Sequence, residues 1–209
     1  MARAGIIVAH PDDETLWAGG TVLMHGGWHW TVITVCRGSD AERAGRFYRA
    51  MALYGAKGAM ADLDDGPEQK PLPEEEIRKG ILSTLPDTEF DVIFTHGPRG
   101  EYTRHLRHEE TSAAVLALWE AGKLLAEELR MFAYEDGGGL YLPRAVKHAD
   151  RRTRLPSHIW QRKYEIVTKV YGFSPDSLEG KTTPSVEAFW SFATPEDARR
   201  WTLQEGGRR

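Results

Sequence analysis

The chain has 209 residues, of which 41% are hydrophobic, 10% aromatic and 28% charged, an ordinary globular composition that excludes a disordered or fibrous protein. Its 27 Lys and Arg against 31 Asp and Glu leave a net charge of −4, so neither nucleic acid nor an anionic membrane surface is favoured as a partner. No apolar run approaches a membrane span or the core of a signal peptide, and the lone Cys36 excludes an intrachain disulfide and fits a reducing cytoplasm.

Ala4 to Ala9 is a continuous short apolar run, as in a strand buried on both faces. It ends at His10-Pro11-Asp12-Asp13-Glu14. A helix is predicted over Thr15–His25, closed by Gly26-Gly27, then a second strand over Trp28–Cys36. Ser39 or Asp40 can cap the next helix, whose apolar stripe of Phe47, Met51 and Tyr54 stops at Gly55. Leu63-Asp64-Asp65-Gly66-Pro67 is turn chemistry. Pro73–Leu85 reads as a helix with glutamates at its N-terminus, where the dipole favours acid, and Phe90–Thr95 as a third buried strand. A loop over His96–Arg104, a long helix over Glu109–Leu129 and a short strand over Met131–Tyr134 follow. The alternation predicts one α/β domain, a mostly parallel sheet with helices on both faces. Residues 137–209 read as a less regular C-terminal extension of it: a break at Gly137-Gly138-Gly139, a solvated charged loop over Arg151–Arg154, a helix over Pro156–Tyr171 and a disordered end over Glu205–Arg209.

Ligands of such sheets bind at the carboxyl ends of the strands. The first strand delivers His10, Asp12 and Asp13 there, and the strand ending at Thr95 delivers His96, His105 and His108. His10 and Asp13 are three apart around a rigid Pro11, and His105 and His108 share one face if they open a helix. Two imidazoles and one carboxylate make a three-ligand zinc set with one position open to water, as catalytic sites require. That leaves one histidine and Asp12 for acid–base work. His25, His29, His148 and His158 read as ordinary surface histidines, and His96 by default as structural.

Ala9-His10-Pro11-Asp12-Asp13-Glu14 after an N-terminal strand, with Thr95-His96-Gly97-Pro98-Arg99-Gly100 and then His105-Leu106-Arg107-His108 opening a helix, resembles the PIG-L/LmbE-like N-deacetylases. The resemblance covers about the first 135 residues. It implies a Rossmann-like fold and metal-dependent removal of an acyl group, usually acetyl, from an N-acetylated amino sugar or glycoconjugate. By position, His10, Asp13 and His108 resemble the Zn2+ ligands, Asp12 the general base, and His105 the histidine that, protonated, steadies the oxyanion. Arg43 matches an arginine that holds the substrate, with Asp65 placed on the same substrate side. The family's second motif is commonly His-Pro-Asp-His; Leu106 and Arg107 replace its middle, so another acid, Glu101, Glu109 or Glu110, is expected to orient His105. Arg46 stands where a glutamate is usual. The competing readings are a receiver-like phosphoacceptor domain, a non-haem iron oxygenase and a sugar-binding relative without turnover. The sequence leaves the substrate and the oligomeric state open.

Overall fold

The computed structural model describes residues 1–206 other than Thr103. Along the chain run β1 (Arg3–Val8), α1 (Asp13–Met24), β2 (His29–Cys36), α2 (Ala41–Tyr54), β3 (Lys57–Leu63), α3 (Glu74–Thr84), β4 (Glu89–Thr95), α4 (Leu106–Glu120) and β5 (Leu125–Phe132). The C-terminal part holds β6 (Tyr134–Glu135), β7 (Arg144–Ala145), β8 (Arg151–Arg154) and α5 (Ser157–Glu165), which runs on into a π-helical turn over Ile166–Val170. It ends with α6 (Leu178–Thr182), β9 (Val186–Phe192) and α7 (Pro195–Gly206). Seven strands form one sheet in the order β3-β2-β1-β4-β5-β9-β8. The first five are parallel, and β9 and β8 join antiparallel. This is the α/β, mostly parallel sheet that the alternation predicts and the Rossmann-like fold that the resemblance implies.

Both faces of the sheet are covered, which is why the inner strands read as unbroken apolar runs. Ile6 and Val8 of β1 face one core with Trp17 and Phe47. Ile7 and Ala9 face the other with Ile33, Val115 and Leu118. Strand order reverses between β1 and β4, so the loops after these two strands diverge and open a crevice at their carboxyl ends. Thr95 Oγ1 donates to the Ile7 carbonyl at 2.8 Å and ties the two strand ends together.

Several elements differ from the sequence expectation. The long helix over Glu109–Leu129 is instead α4, a turn, and β5. Gly122, at φ 63°, makes the left-handed stop: its N–H bonds the Trp119 carbonyl and the Lys123 N–H bonds that of Leu118. Leu-Ala-Glu-Glu-Leu-Arg-Met-Phe has helix-forming composition, but pairing with β4 and β9 makes it a strand. β3 escapes sequence reading because Lys-Gly-Ala-Met-Ala-Asp-Leu is short of β-branched residues. Arg151–Arg154 is an edge strand with all four residues exposed, not a loop; charge along an edge discourages further pairing. α7 carries helix through Gly206 where disorder was expected, and residues 207–209 of that expectation lie outside the described residues. The extension also contributes a sheet strand, β9. Its Glu187 is fully buried, accepts the amides of Gly20 and Thr21 at 2.7 Å each, and pairs with buried Lys163 of α5 at 2.8 Å. Among the described residues no helix is long and apolar enough to cross a membrane.

Candidate metal centre and active site

The turn after β1 is built to aim side chains. Asp12, at φ 127°, holds a backbone conformation that L-residues rarely adopt, a strain typical of functional turns. Its carbonyl starts α1 by accepting the amides of Thr15 and Leu16. Asp13 then folds back: its Oδ2 accepts the His10 amide at 3.0 Å and its Oδ1 accepts the Trp17 indole N–H at 3.2 Å. With His108 from the first turns of α4, three donor atoms meet. His10 Nδ1, Asp13 Oδ2 and His108 Nε2 lie 3.3 Å from one another on all three edges. A tetrahedral zinc ion with ligands at about 2.0–2.1 Å has edges of about 3.3–3.4 Å. The three atoms therefore fit that ion without rearrangement.

Outer partners fix the rings. Glu101, 1% exposed, accepts the Nδ1–H of His108 at 2.7 Å and that of His96 at 2.9 Å on one oxygen, and the Gly97 amide at 2.9 Å on the other. His108 is thereby left to present Nε2 inward. His96 has no free lone pair, because its Nε2 accepts the Ala9 amide at 2.9 Å, although it lies 3.5 Å from Asp13. Asp65 Oδ1 lies 3.2 Å from His10 Nε2, and its other oxygen pairs with Arg37 at 2.5 Å. Among the described residues three further sets of potential donors lie close together: His10, His105 and His108; His10, Cys36 and Asp65; and Asp13, His96 and His108. Burial holds the Cys36 thiol up at about 12, which keeps it a poor ligand.

The electrostatics suit a cation. Burial alone would raise the Asp13 pKa, but the charges of His108 and His96 carry it well below the usual carboxylate range. Burial works against the His108 imidazolium, yet Asp13 and Glu101 raise its pKa to about 10. Glu101 falls to about 2 despite its burial, drawn down by His96 and His108. Surroundings that favour a proton this strongly also favour a metal ion. Asp12 is pushed well above its ordinary value by burial and then by the charges of Asp13 and Glu14.

A cleft of about 180 Å³ opens over these atoms, lined by Asp12, Arg43, Tyr102, His105, Phe173 and Glu179 among others. His105 stands at the N-cap of α4, its ring 4.5 Å from that of His108 and 4.7 Å from that of His10. Its Nδ1 is buried without a hydrogen bond among the described residues. None of the three expected acids orients it: Glu101 serves His96 and His108, Glu109 pairs with Arg104, and Glu110 with Arg107. Burial and the neighbouring His108 and His10 lower its pKa to about 4, which favours the neutral imidazole over the expected imidazolium. Arg43 is half-exposed on the rim, 3.9 Å from Asp40. Arg46 bonds the Tyr171 carbonyl and Glu42, tying α2 to the end of the π turn. Asp65 sits behind His10, with its side chain only 6% exposed.

The sequence reading missed the parts played by His96 and Glu101. Three histidines after β4 and an acid among them were visible; which acid faces which ring depends on how the chain turns after His96.

The profile of one family, PIG-L (GlcNAc-PI de-N-acetylase), matches residues 6–119, more than half of the chain. The chain belongs to the PIG-L family. Membership supports a deacetylase or related hydrolase function. No curated protein matches the PIG-L chain. Among solved structures, it is similar to a deacetylase in the biosynthesis pathway of teicoplanin, at 15% identity and TM-score 0.63 over 84% of this chain and 88% of that one. It is also similar to a conserved protein of Thermus thermophilus, at 17% identity and TM-score 0.61 over 91% and 94%. The 4-carboxy-2-hydroxymuconate hydratase GalB of Pseudomonas putida matches at 15% identity and TM-score 0.60 over 88% and 83%. At such identities these likenesses establish the LmbE-like fold alone, and one scaffold carries both deacetylase and hydratase chemistry.

Proposed function

We propose that the protein is a zinc-dependent N-deacetylase that removes an acetyl or related acyl group from an N-acylated amino sugar or similar small molecule. The observation that carries this reading is the triangle of His10 Nδ1, Asp13 Oδ2 and His108 Nε2, 3.3 Å on each edge, beside the unpaired acid Asp12 in a family of de-N-acetylases. When bound, zinc would polarise the amide carbonyl and lower the pKa of water from about 15.7 toward about 7. The chain's residues do the rest. Asp12 takes the proton of the attacking water; it adjoins a ligand but makes no ion pair of its own among the described residues. His105 offers an imidazole N–H to the oxygen on which negative charge develops, an effect worth about 3–4 kcal/mol per donor. Asp12 returns that proton to the leaving amine, directly or through His105, whose neutral imidazole can take a proton on one nitrogen as it gives one from the other.

The walls of the cleft suit an amphipathic ring. Leu16, Tyr102 and Phe173 offer apolar faces, while Arg43, Asp12 and Glu179 offer polar groups. Asp65 reaches the substrate only through Arg37 and His10 in this reading. The whole chain acts as one deacetylase domain, and we assign it to the cytoplasm on the strength of its single, free, buried cysteine. Family membership goes against the phosphoacceptor and iron-oxygenase alternatives. A fluorescamine screen for freed amines over N-acetylated sugars, with and without chelator, tests the proposal. Amine release abolished by chelator is expected. Undiminished release in chelator, or none from the zinc-loaded protein across the panel, would overturn it and, in the second case, favour a binding-only relative.

A further inference from the structure

Arg107 stands where the related motif commonly has an aspartate, and it is 1% exposed. None of its hydrogen bonds goes to a histidine. Its Nε donates to the Asp64 carbonyl at 2.7 Å, its Nη2 to the Lys70 carbonyl at 2.7 Å, and its Nη1 to Glu110 Oε2 at 2.5 Å. The other oxygen of Glu110 accepts the Leu72 amide at 2.9 Å. Arg107 and Glu110 together thus hold three backbone groups of the loop between β3 and α3. That loop carries Asp65, whose Oδ1 lies 3.2 Å from His10 Nε2 and also accepts Gln69 Nε2 at 3.0 Å. The same turn of α4 that carries His108 therefore also clamps the loop behind His10.

We propose that Arg107 is a positioning residue for the metal centre: it pins the 64–72 loop so that Asp65 stays 3.2 Å from His10 Nε2, an ion-pair contact outside hydrogen-bond geometry that holds that ring by charge. The motif departure thus leaves His105 without its orienting carboxylate and adds a clamp behind a different ring, that of His10. A guanidinium is needed because its planar fork reaches separate acceptors at once, which a lysine ammonium on the same path cannot do. This inference rests on the metal reading of the site.

The test is zinc affinity of the full chain, measured by competition with a chromophoric chelator, for wild type, Arg107→Lys, Asp65→Asn and the double variant. Arg107→Lys and Asp65→Asn should each weaken zinc binding about 10- to 100-fold, the usual cost of losing an outer partner of a metal-bound imidazole. The double variant should bind no worse than Asp65→Asn alone, because both changes break one link. A merely structural role would lower stability and leave the zinc Kd unmoved. Amide exchange of the wild type gives a second readout independent of any variant's folding: zinc should slow exchange at Leu72, whose N–H belongs to the clamp. Wild-type affinity in Arg107→Lys, additive losses in the double variant, or no zinc effect at Leu72 would overturn the inference while leaving the metal reading intact. A wild-type chain with no affinity for zinc would overturn both.

Discussion

Glu101→Gln separates a metal-orienting carboxylate from an ordinary buried acid. Glu101 receives three N–H groups, two from imidazoles on Oε2 and one from Gly97 on Oε1. A glutamine has one acceptor oxygen. With that oxygen toward the rings, its amide NH2 faces the Gly97 N–H; turned the other way, it faces two ring N–H groups. The milder arrangement leaves one buried donor unsatisfied, at about 1–3 kcal/mol, and weakens two charge-assisted bonds. We expect a stability loss of roughly 2–4 kcal/mol. The freed His108 ring should cost about 10- to 100-fold in zinc affinity, or about 1.4–2.7 kcal/mol. Chemical denaturation gives the first quantity and competition with a chromophoric zinc chelator the second. A stability loss with an unchanged zinc Kd would refute the orienting role, since Glu101 would then brace only the loop.

Other substitutions test the remaining parts. Asp12→Asn should keep zinc binding and lose at least about 100-fold in kcat on any substrate found in the amine-release screen, the scale of a general base; equal rates would remove Asp12 from that role. Asp13→Ala and His108→Ala should lose zinc together with activity, read by elemental analysis after desalting. Lys163→Met should cost about 3 kcal/mol or more in denaturant unfolding, because it leaves the buried Glu187 carboxylate without its cation. Adding Glu187→Gln should recover part of that loss, since it removes the uncompensated buried charge, although its single oxygen keeps only one of the Gly20 and Thr21 amides.

How far the sequence could be read followed how local each determinant is. β1, β2 and β4 announce themselves as apolar runs because both their faces are covered, and α2 because its stripe ends at a glycine. β5 could not be read that way. Its Leu-Ala-Glu-Glu-Leu segment prefers helix, and only its remote partners β4 and β9 decide otherwise. β9 has the aromatic composition of a strand, but its place beside β5 depends on a connection that runs through α5 and α6. In the site, His10, Asp13 and His108 were legible because their spacing and the preceding strands carry them to one edge. The outer carboxylates were not. Asp65 lies on a loop whose path is set by Arg37 and Arg107, far along the chain, and Glu101 on a loop whose turn decides which ring it meets. Spacing alone placed Glu101 among three candidates for the wrong ring.

Zinc X-ray absorption of the metal-loaded protein tests the central claim most directly, because bond lengths distinguish the donor sets around His10. The account predicts one zinc per chain in a shell of only nitrogen and oxygen at about 2.0–2.1 Å, with the multiple scattering of two imidazoles. A sulfur scatterer at about 2.3 Å would mean that Cys36 and Asp65 hold the ion, and would contradict the assignment to His10, Asp13 and His108.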